Sequence, residues 1–181
     1  MSMLSNLDLI RRVPLFAMLT PAQAESLAGA VTKKRFKRGE FLVEQGKNCE
    51  SLFIILAGRA RVVVTDRRDR EVILATMHAG DYVGEMSLID QEPHSASVEA
   101  EVQTDALVLE GAEFTRCLLE NTSTVSAVMR GLVQRLRSAD RKIESLALMN
   151  VYGRVANVLM EAAPADENNV RIIRDKISRQ D

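Results

Sequence analysis

The spacing of hydrophobic residues changes twice along the chain, and each change indicates a different kind of structure. Up to residue 31 the spacing fits helices, and Thr20–Pro21 is a typical helix start because threonine caps well and proline suits the first helical position. From residue 32 to 110, short β-branched runs alternate with glycines, which indicates strands joined by turns. Helical spacing returns after residue 113. The pattern predicts a mainly β protein with flanking helices.

The β-rich part contains several short runs and no alternating helices, which favours an antiparallel roll or barrel over a parallel α/β sheet. The charged segment DRRDR is expected at a hairpin tip. The predicted strand-bearing segments are residues 35–46, 51–66, 70–84, 95–101 and 105–110.

The second helical part carries hydrophobic residues at alternating steps of four and three, and this average of about 3.5 is typical of a helix–helix seam. We expect one helix from Ser123 to near Gly153, roughly 40 Å long. A second copy of the same helix is the expected partner, in a parallel homodimer; the alternative is packing against the chain's own β-roll. The predicted dimer interface comprises Val125, Met129, Leu132, Leu136, Ala139, Ile143 and Leu146.

Beyond this helix we predict a short helix at 153–163, a polar turn at 164–169 and a short strand at 170–173. Ser178 with Asp181 three residues later forms a capping box, which opens a helix. We therefore expect the polypeptide to continue into a further domain.

Composition narrows the function classes. A formal net charge of −1 and a pI of about 6.2 are far from the basic balance of a self-sufficient DNA-binding domain. No apolar run approaches the ~20 residues of a membrane span, and the start lacks a signal-peptide layout, so we expect no membrane association and a cytoplasmic location. Cys49 and Cys117 are too few for a disulfide framework or an iron–sulfur cluster. No catalytic set, metal site or Walker loop is recognised, so we do not expect an enzyme.

The segment from residue 80 to 101 carries the candidate chemistry. Gly84–Ser87 can open a short helix whose N–H groups and dipole favour a phosphate, and Gly84 lets a ligand approach the backbone. Glu85 can accept a ribose hydroxyl. Ser95 and Ser97 follow on the next predicted strand and offer hydroxyl donors.

This segment resembles the phosphate-binding cassette of cyclic-nucleotide-binding domains, in which G-E-L-A-L is followed by R-x-A. The matching residues here are G-E-M-S-L at 84–88 and H-S-A at 94–96. With the strand layout, the long helix and LALMNVYGRVANVLMEAA leading to KISRQD, the chain is similar to the CRP/FNR family of transcription regulators. The resemblance implies a cyclic-nucleotide-binding β-roll (a double-stranded jelly roll) at 1–121, a long dimerisation helix at 122–150, and the start of a winged helix-turn-helix at 151–181.

The resemblance also implies partners and a site. The partners are a nucleotide effector, promoter DNA and RNA polymerase, and no covalent cofactor is implied. The expected ligand-binding residues are Leu74, Gly84, Glu85, Met86, Ser87, His94, Ser95, Arg135 and Asp140.

Two departures from the family bear on the effector. His94 replaces the cassette arginine, and losing a charge-assisted phosphate contact costs about 1.5–3 kcal/mol, or about tenfold to a hundredfold in affinity. Ala139–Asp140 replaces a Thr-Ser pair that holds adenine, and the Asp140 carboxylate suits the two adjacent N–H donors of guanine. Arg59, Arg61 and Arg135 are candidate substitutes for the missing cation.

Three interpretations of the effector remain open at this stage. The first is a guanine nucleotide, with cyclic di-GMP favoured. The second is cAMP, with His94 protonated or another cation in its place. The third is a ligand-free scaffold used for dimerisation. A haem sensor using His78 and His94 is disfavoured because no Cys-x-x-Cys-His motif is present.

Overall fold

The computed structural model describes residues 5–48 and 50–163, with the side chains of residues 157, 158, 161 and 162 left out of the description. Within this part, the chain divides into two compact units whose boundary lies between Met129 and Arg130. The predicted domain boundaries after residues 121 and 150 stay predictions. The predicted turn, strand and helix start between residues 164 and 181 lie outside the described residues, and so does Cys49.

The first unit begins with two short helices, α1 (Asn6–Arg12) and α2 (Pro21–Ala30), with a 3₁₀ turn at Pro14–Phe16 between them. The predicted N-cap at Thr20 is confirmed: its hydroxyl accepts from Gln23 N at 3.4 Å, and Gln23 Oε1 accepts from Thr20 N at 2.9 Å. This reciprocal pair satisfies two backbone donors that a helix start leaves open.

Within the described residues, eight strands form two four-stranded antiparallel sheets, which confirms the predicted roll. One sheet has the order β1-β8-β3-β6 and the other β2-β7-β4-β5. The predicted hairpin tip lies between β4 and β5, where Asp66 Oδ1 accepts from the backbone N–H groups of Arg68 and Arg70. The strands are β1 (Val31–Phe36), β2 (Phe41–Val43), β3 (Ser51–Ala57), β4 (Ala60–Thr65), β5 (Glu71–Met77), β6 (Tyr82–Val83), β7 (Ser97–Ala100) and β8 (Thr104–Glu110).

The core of the roll is aliphatic with a small aromatic contribution. Phe36 is buried and meets Phe53 edge-to-face with ring centroids 6.0 Å apart. Besides Phe36, the buried members of this cluster are Leu42, Val43, Ile55, Ala60, Met77, Val98, Ala100 and Ala106. Cys117 is buried elsewhere in the first unit, and burial raises the pKa of its thiol.

Four further helices complete the described fold: α3 (Glu85–Asp90), α4 (Gly111–Glu120), α5 (Thr122–Leu148) and α6 (Val151–Ala162). The predicted long helix is confirmed as α5, but it ends at Leu148, a few residues before the expected end near Gly153. Asn150 caps the next helix, and its Oδ1 accepts from Gly153 N at 2.9 Å. An asparagine side chain competes for backbone donors and favours a new helix start over continuation. Across the described helices, none combines the length and the apolar character that a membrane span requires.

Candidate functional site

The candidate site is built on the short connection from β6 into α3. Strand β6 pairs with β3, with Val83 opposite Phe53, and this pairing holds the start of the connection to the sheet. Gly84 then adopts φ 102°, in the left-handed region that side chains other than glycine disfavour, and serves as the N-cap of α3. The sequence-based expectation that Gly84 opens a short helix is therefore confirmed.

The first turn of α3 separates its side chains sharply by burial. Glu85 is 1% exposed and Ser87 is 8% exposed, whereas Met86 is 48% exposed. A carboxylate this deeply buried is unusual, since charged groups avoid the interior unless they serve a structural or binding role. The proposed roles of Gly84, Glu85, Met86 and Ser87 toward a nucleotide stay predictions.

His94 is a buried residue of the same site rather than a surface loop residue. Its Nδ1 lies 3.0 Å from Ser87 Oγ, and its side chain is largely inaccessible. Its backbone is held as well, because His94 N donates to Lys47 O at 2.9 Å and Gly46 N donates to His94 O at 2.8 Å. Burial lowers the pKa of His94 below the ordinary histidine value, so the neutral ring is favoured near pH 7.

The remaining predicted residues of the first unit lie at different places on the roll. Ser95 is exposed and precedes β7. Ser97 begins β7, and its Oγ accepts from Gln45 N at 2.9 Å, so it holds the neighbouring loop. Leu74 lies on β5, in the sheet that does not contain β6, and its side chain is 44% exposed.

Two of the three candidate substitute cations are already paired with carboxylates. Arg59 Nε lies 2.7 Å from Glu101 Oε2, and Arg61 Nη2 lies 2.9 Å from Glu99 Oε2. These ion pairs join neighbouring segments of one sheet, where Arg61 and Glu99 are direct cross-strand partners. Releasing either arginine to a phosphate would leave a carboxylate without its ion pair, which disfavours that role.

The third candidate cation, Arg135, and the predicted base-reading residue Asp140 lie on α5 in the second unit. Both side chains are exposed within this chain. Their roles as ligand contacts stay predictions.

The predicted seam of α5 is largely exposed within the single chain. Met129, Leu136, Ile143 and Leu146 are between 60% and 66% exposed. Leu132 and Val125 are intermediate, and Ala139 is exposed. A stripe of this kind, at coiled-coil spacing, is typical of a surface that another helix covers.

Sequence reasoning missed the contact between Ser87 and His94. The signal was available, because the family's G-E-L-A-L has alanine where this chain has Ser87. Ser87 and His94 are seven residues apart in the sequence, and this spacing alone does not indicate a contact. The contact arises because α3 packs against the segment that leads into β7.

A double antiparallel roll with a glycine-started helix between its sixth and seventh strands defines the class of cyclic nucleotide-binding domains. The family model of the cyclic nucleotide-binding domain matches residues 33–121. The chain is 27% identical over 158 residues to the cAMP-activated global transcriptional regulator Vfr of Pseudomonas aeruginosa, covering 81% of this chain and 74% of that protein.

Two solved structures extend the comparison to the fold. The catabolite activator protein of Thermus thermophilus matches with a TM-score of 0.65 and 27% identity, over 74% of this chain and 63% of that one. The cyclic di-GMP-responsive regulator CLP of Xanthomonas campestris matches with a TM-score of 0.71 and 19% identity, over 82% of this chain and 74% of that one, which shows the shared fold alone. Residues 33–121 of this chain therefore match a cyclic nucleotide-binding domain, and the chain as a whole is similar to CRP/FNR-like regulators.

Proposed function

We propose that this chain is the effector-sensing and dimerisation region of a bacterial transcription regulator, and that a cyclic nucleotide bound at the cassette controls its DNA binding. The observation that carries this proposal is the cassette itself. Gly84 in a left-handed conformation opens α3 beside the buried Glu85, within the part of the chain that matches the cyclic nucleotide-binding domain. Such a regulator would act in the cytoplasm, on promoter DNA and with RNA polymerase.

For the effector we propose cyclic di-GMP. The position of the family's phosphate-binding arginine holds a buried His94 with a lowered pKa, and Arg59 and Arg61 already pair with glutamates. This cassette therefore lacks the permanent cation that the resemblance assigns to binding the cyclic phosphate of cAMP. A carboxylate such as that of Asp140 can accept from two adjacent donors, which guanine presents and adenine does not, so a guanine nucleotide is favoured.

The second candidate effector is cAMP. Vfr, which shares 27% identity over most of this chain, is named as cAMP-activated. In this case His94 would need to gain a proton when the phosphate arrives, or another cation would have to replace it.

For assembly we propose a parallel homodimer through α5. The exposed stripe of Met129, Leu136, Ile143 and Leu146 supports this proposal, because a second copy offers a matching stripe of the same length. The effector would then act by population shift: it favours whichever dimer arrangement binds it more tightly, and it can shift that equilibrium only by its differential affinity.

Calorimetric titration of the 181-residue chain with cyclic di-GMP, cAMP and cGMP tests the proposal. We expect cyclic di-GMP to bind at least about tenfold more tightly than cAMP. Tighter binding of cAMP would contradict cyclic di-GMP as the effector and would leave the proposed sensor function in place. No heat and no binding with all three nucleotides would contradict the sensor function and favour a scaffold.

A further inference from the structure

The cassette departs from the family pattern at Met86, Ser87 and His94, and the structure places the side chains of Ser87 and His94 in contact. Ser87 stands where the family has alanine, and His94 stands where it has arginine. Ser87 Oγ and His94 Nδ1 are 3.0 Å apart, and both side chains are buried. An alanine could not make this hydrogen bond, so the contact requires both the serine and the histidine.

We infer that Ser87 and His94 act as a pair that couples the binding of an anionic nucleotide at the cassette to the uptake of one proton by His94. This inference rests on the proposed function, because it concerns the nucleotide that we propose to bind at the cassette. It addresses how proton uptake regulates nucleotide binding at the cassette.

The serine suits both charge states of its partner. When His94 is neutral, the Ser87 hydroxyl can donate to an unprotonated Nδ1. When the ring is protonated, Nδ1–H donates and the same hydroxyl oxygen accepts. The contact between α3 and His94 therefore persists when the ring changes charge, which a donor-only or acceptor-only partner would not permit.

In the absence of a nucleotide, the site favours the neutral ring. Burial lowers the pKa of His94, because the charged form of the ring is disfavoured away from water. The segments that bond to His94 carry Glu85 and Asp90 on α3, and Glu44 and Lys47 on the loop after β2. Lys47 Nζ is paired with Glu44 Oε1 at 2.8 Å.

A phosphate at the cassette reverses this preference. A nearby anion stabilises the imidazolium and raises the pKa of His94, so nucleotide binding takes up a proton from solution. Since the coupling is reciprocal, the nucleotide binds more tightly as pH falls through the window between the free and the bound pKa. One coupled proton changes affinity by at most about tenfold per pH unit. An arginine, which stays charged, would give no such dependence.

The test is calorimetry with cyclic di-GMP and with cAMP at about pH 6 and about pH 7, in buffers that differ in protonation enthalpy. We expect the wild-type chain to take up a fraction of a proton, approaching one, with each nucleotide that binds. His94→Gln should bind without proton uptake and with little pH dependence. The matched control is His78→Gln, which changes the other of the two histidines, an exposed one, and should retain the uptake.

Two further variants separate coupling from a structural role of His94. Ser87→Ala removes the hydrogen bond in both charge states of His94. Because the charge-assisted bond from the imidazolium is the stronger of the two, uptake should shift to lower pH while the histidine stays titratable. Ser87→Ala combined with His94→Arg restores the family residues at these two positions, and cAMP should then bind about tenfold to a hundredfold more tightly and independently of pH.

The outcomes distinguish this inference from the proposed function. A wild-type chain that binds a nucleotide without taking up a proton, or an unchanged uptake in His94→Gln, would overturn the inference alone. A wild-type chain that binds neither probe would overturn both.

Discussion

Gly84 shows how a single residue determines the local geometry of the cassette. Its φ of 102° lies in the region where an L side chain meets its own backbone, at a cost of roughly 1–2 kcal/mol. No side chain at this position could start α3 in the same way without that strain. The family's preference for glycine here has this physical basis.

We therefore predict that Gly84→Ala lowers the free energy of unfolding by about 1–2 kcal/mol and weakens nucleotide binding, as measured by urea denaturation and calorimetry. The matched control is Gly29→Ala on α2, where an added Cβ meets nothing within 4 Å and the backbone is not left-handed. This variant should be equally stable or up to about 1 kcal/mol more stable. Equal stability of both variants would mean that the left-handed turn at Gly84 is not required.

At the scale of elements, α5 carries two different environments along its length. Thr124 and Val128, near its start, are buried in the first unit, whereas Leu136 and Ile143 are more than 60% exposed. A helix that exposes a regular apolar stripe over several turns is stabilised by covering that stripe rather than by its own hydrogen bonds. This contrast supports assignment of the later part of α5 to an interface.

We predict that Leu136→Asp yields monomers in size-exclusion chromatography with light scattering, because a carboxylate buried in an apolar seam loses its hydration. The β-roll should stay folded, as circular dichroism would show, since Leu136 is 62% exposed within the chain. Gln134→Asp adds the same charge two residues earlier, off the stripe, and should remain a dimer. A dimer that persists in Leu136→Asp would refute the seam.

At the scale of the whole molecule, the predicted ligand contacts are divided between the two units. The cassette belongs to the first unit, and Asp140 belongs to the second, while α5 runs through the boundary at Met129 and Arg130. A sensor that is to influence a further domain needs a ligand whose affinity depends on the second unit as well as the first.

We predict that Asp140→Ala weakens cyclic di-GMP binding by about tenfold and leaves both cAMP binding and the dimer unchanged, since only guanine offers the two donors that a carboxylate accepts. Calorimetry and light scattering measure these two effects. Glu144→Ala removes a carboxylate one turn later and serves as the control. Unchanged affinity for cyclic di-GMP in Asp140→Ala would remove the base-reading role.

Much of the fold followed from local pattern. The cap at Thr20, the glycine turns and the run of short strands depend on residues within a few positions of one another, so the sequence alone predicted the antiparallel roll and its flanking helices. The start of α3 at Gly84 was predictable for the same reason. The break before Asn150 was also locally encoded, but the apolar spacing runs through it and obscured the cap.

The tertiary structure alone decided how the charged and polar groups of the site pair. Arg61 meets Glu99 across 38 residues because β4 lies beside β7 in one register, and Ser87 meets His94 because α3 packs against the segment before β7. Local periodicity specifies which face a residue occupies, whereas strand order and register specify what lies opposite. The charge state of His94 follows from its burial, and burial is a property of the assembled fold.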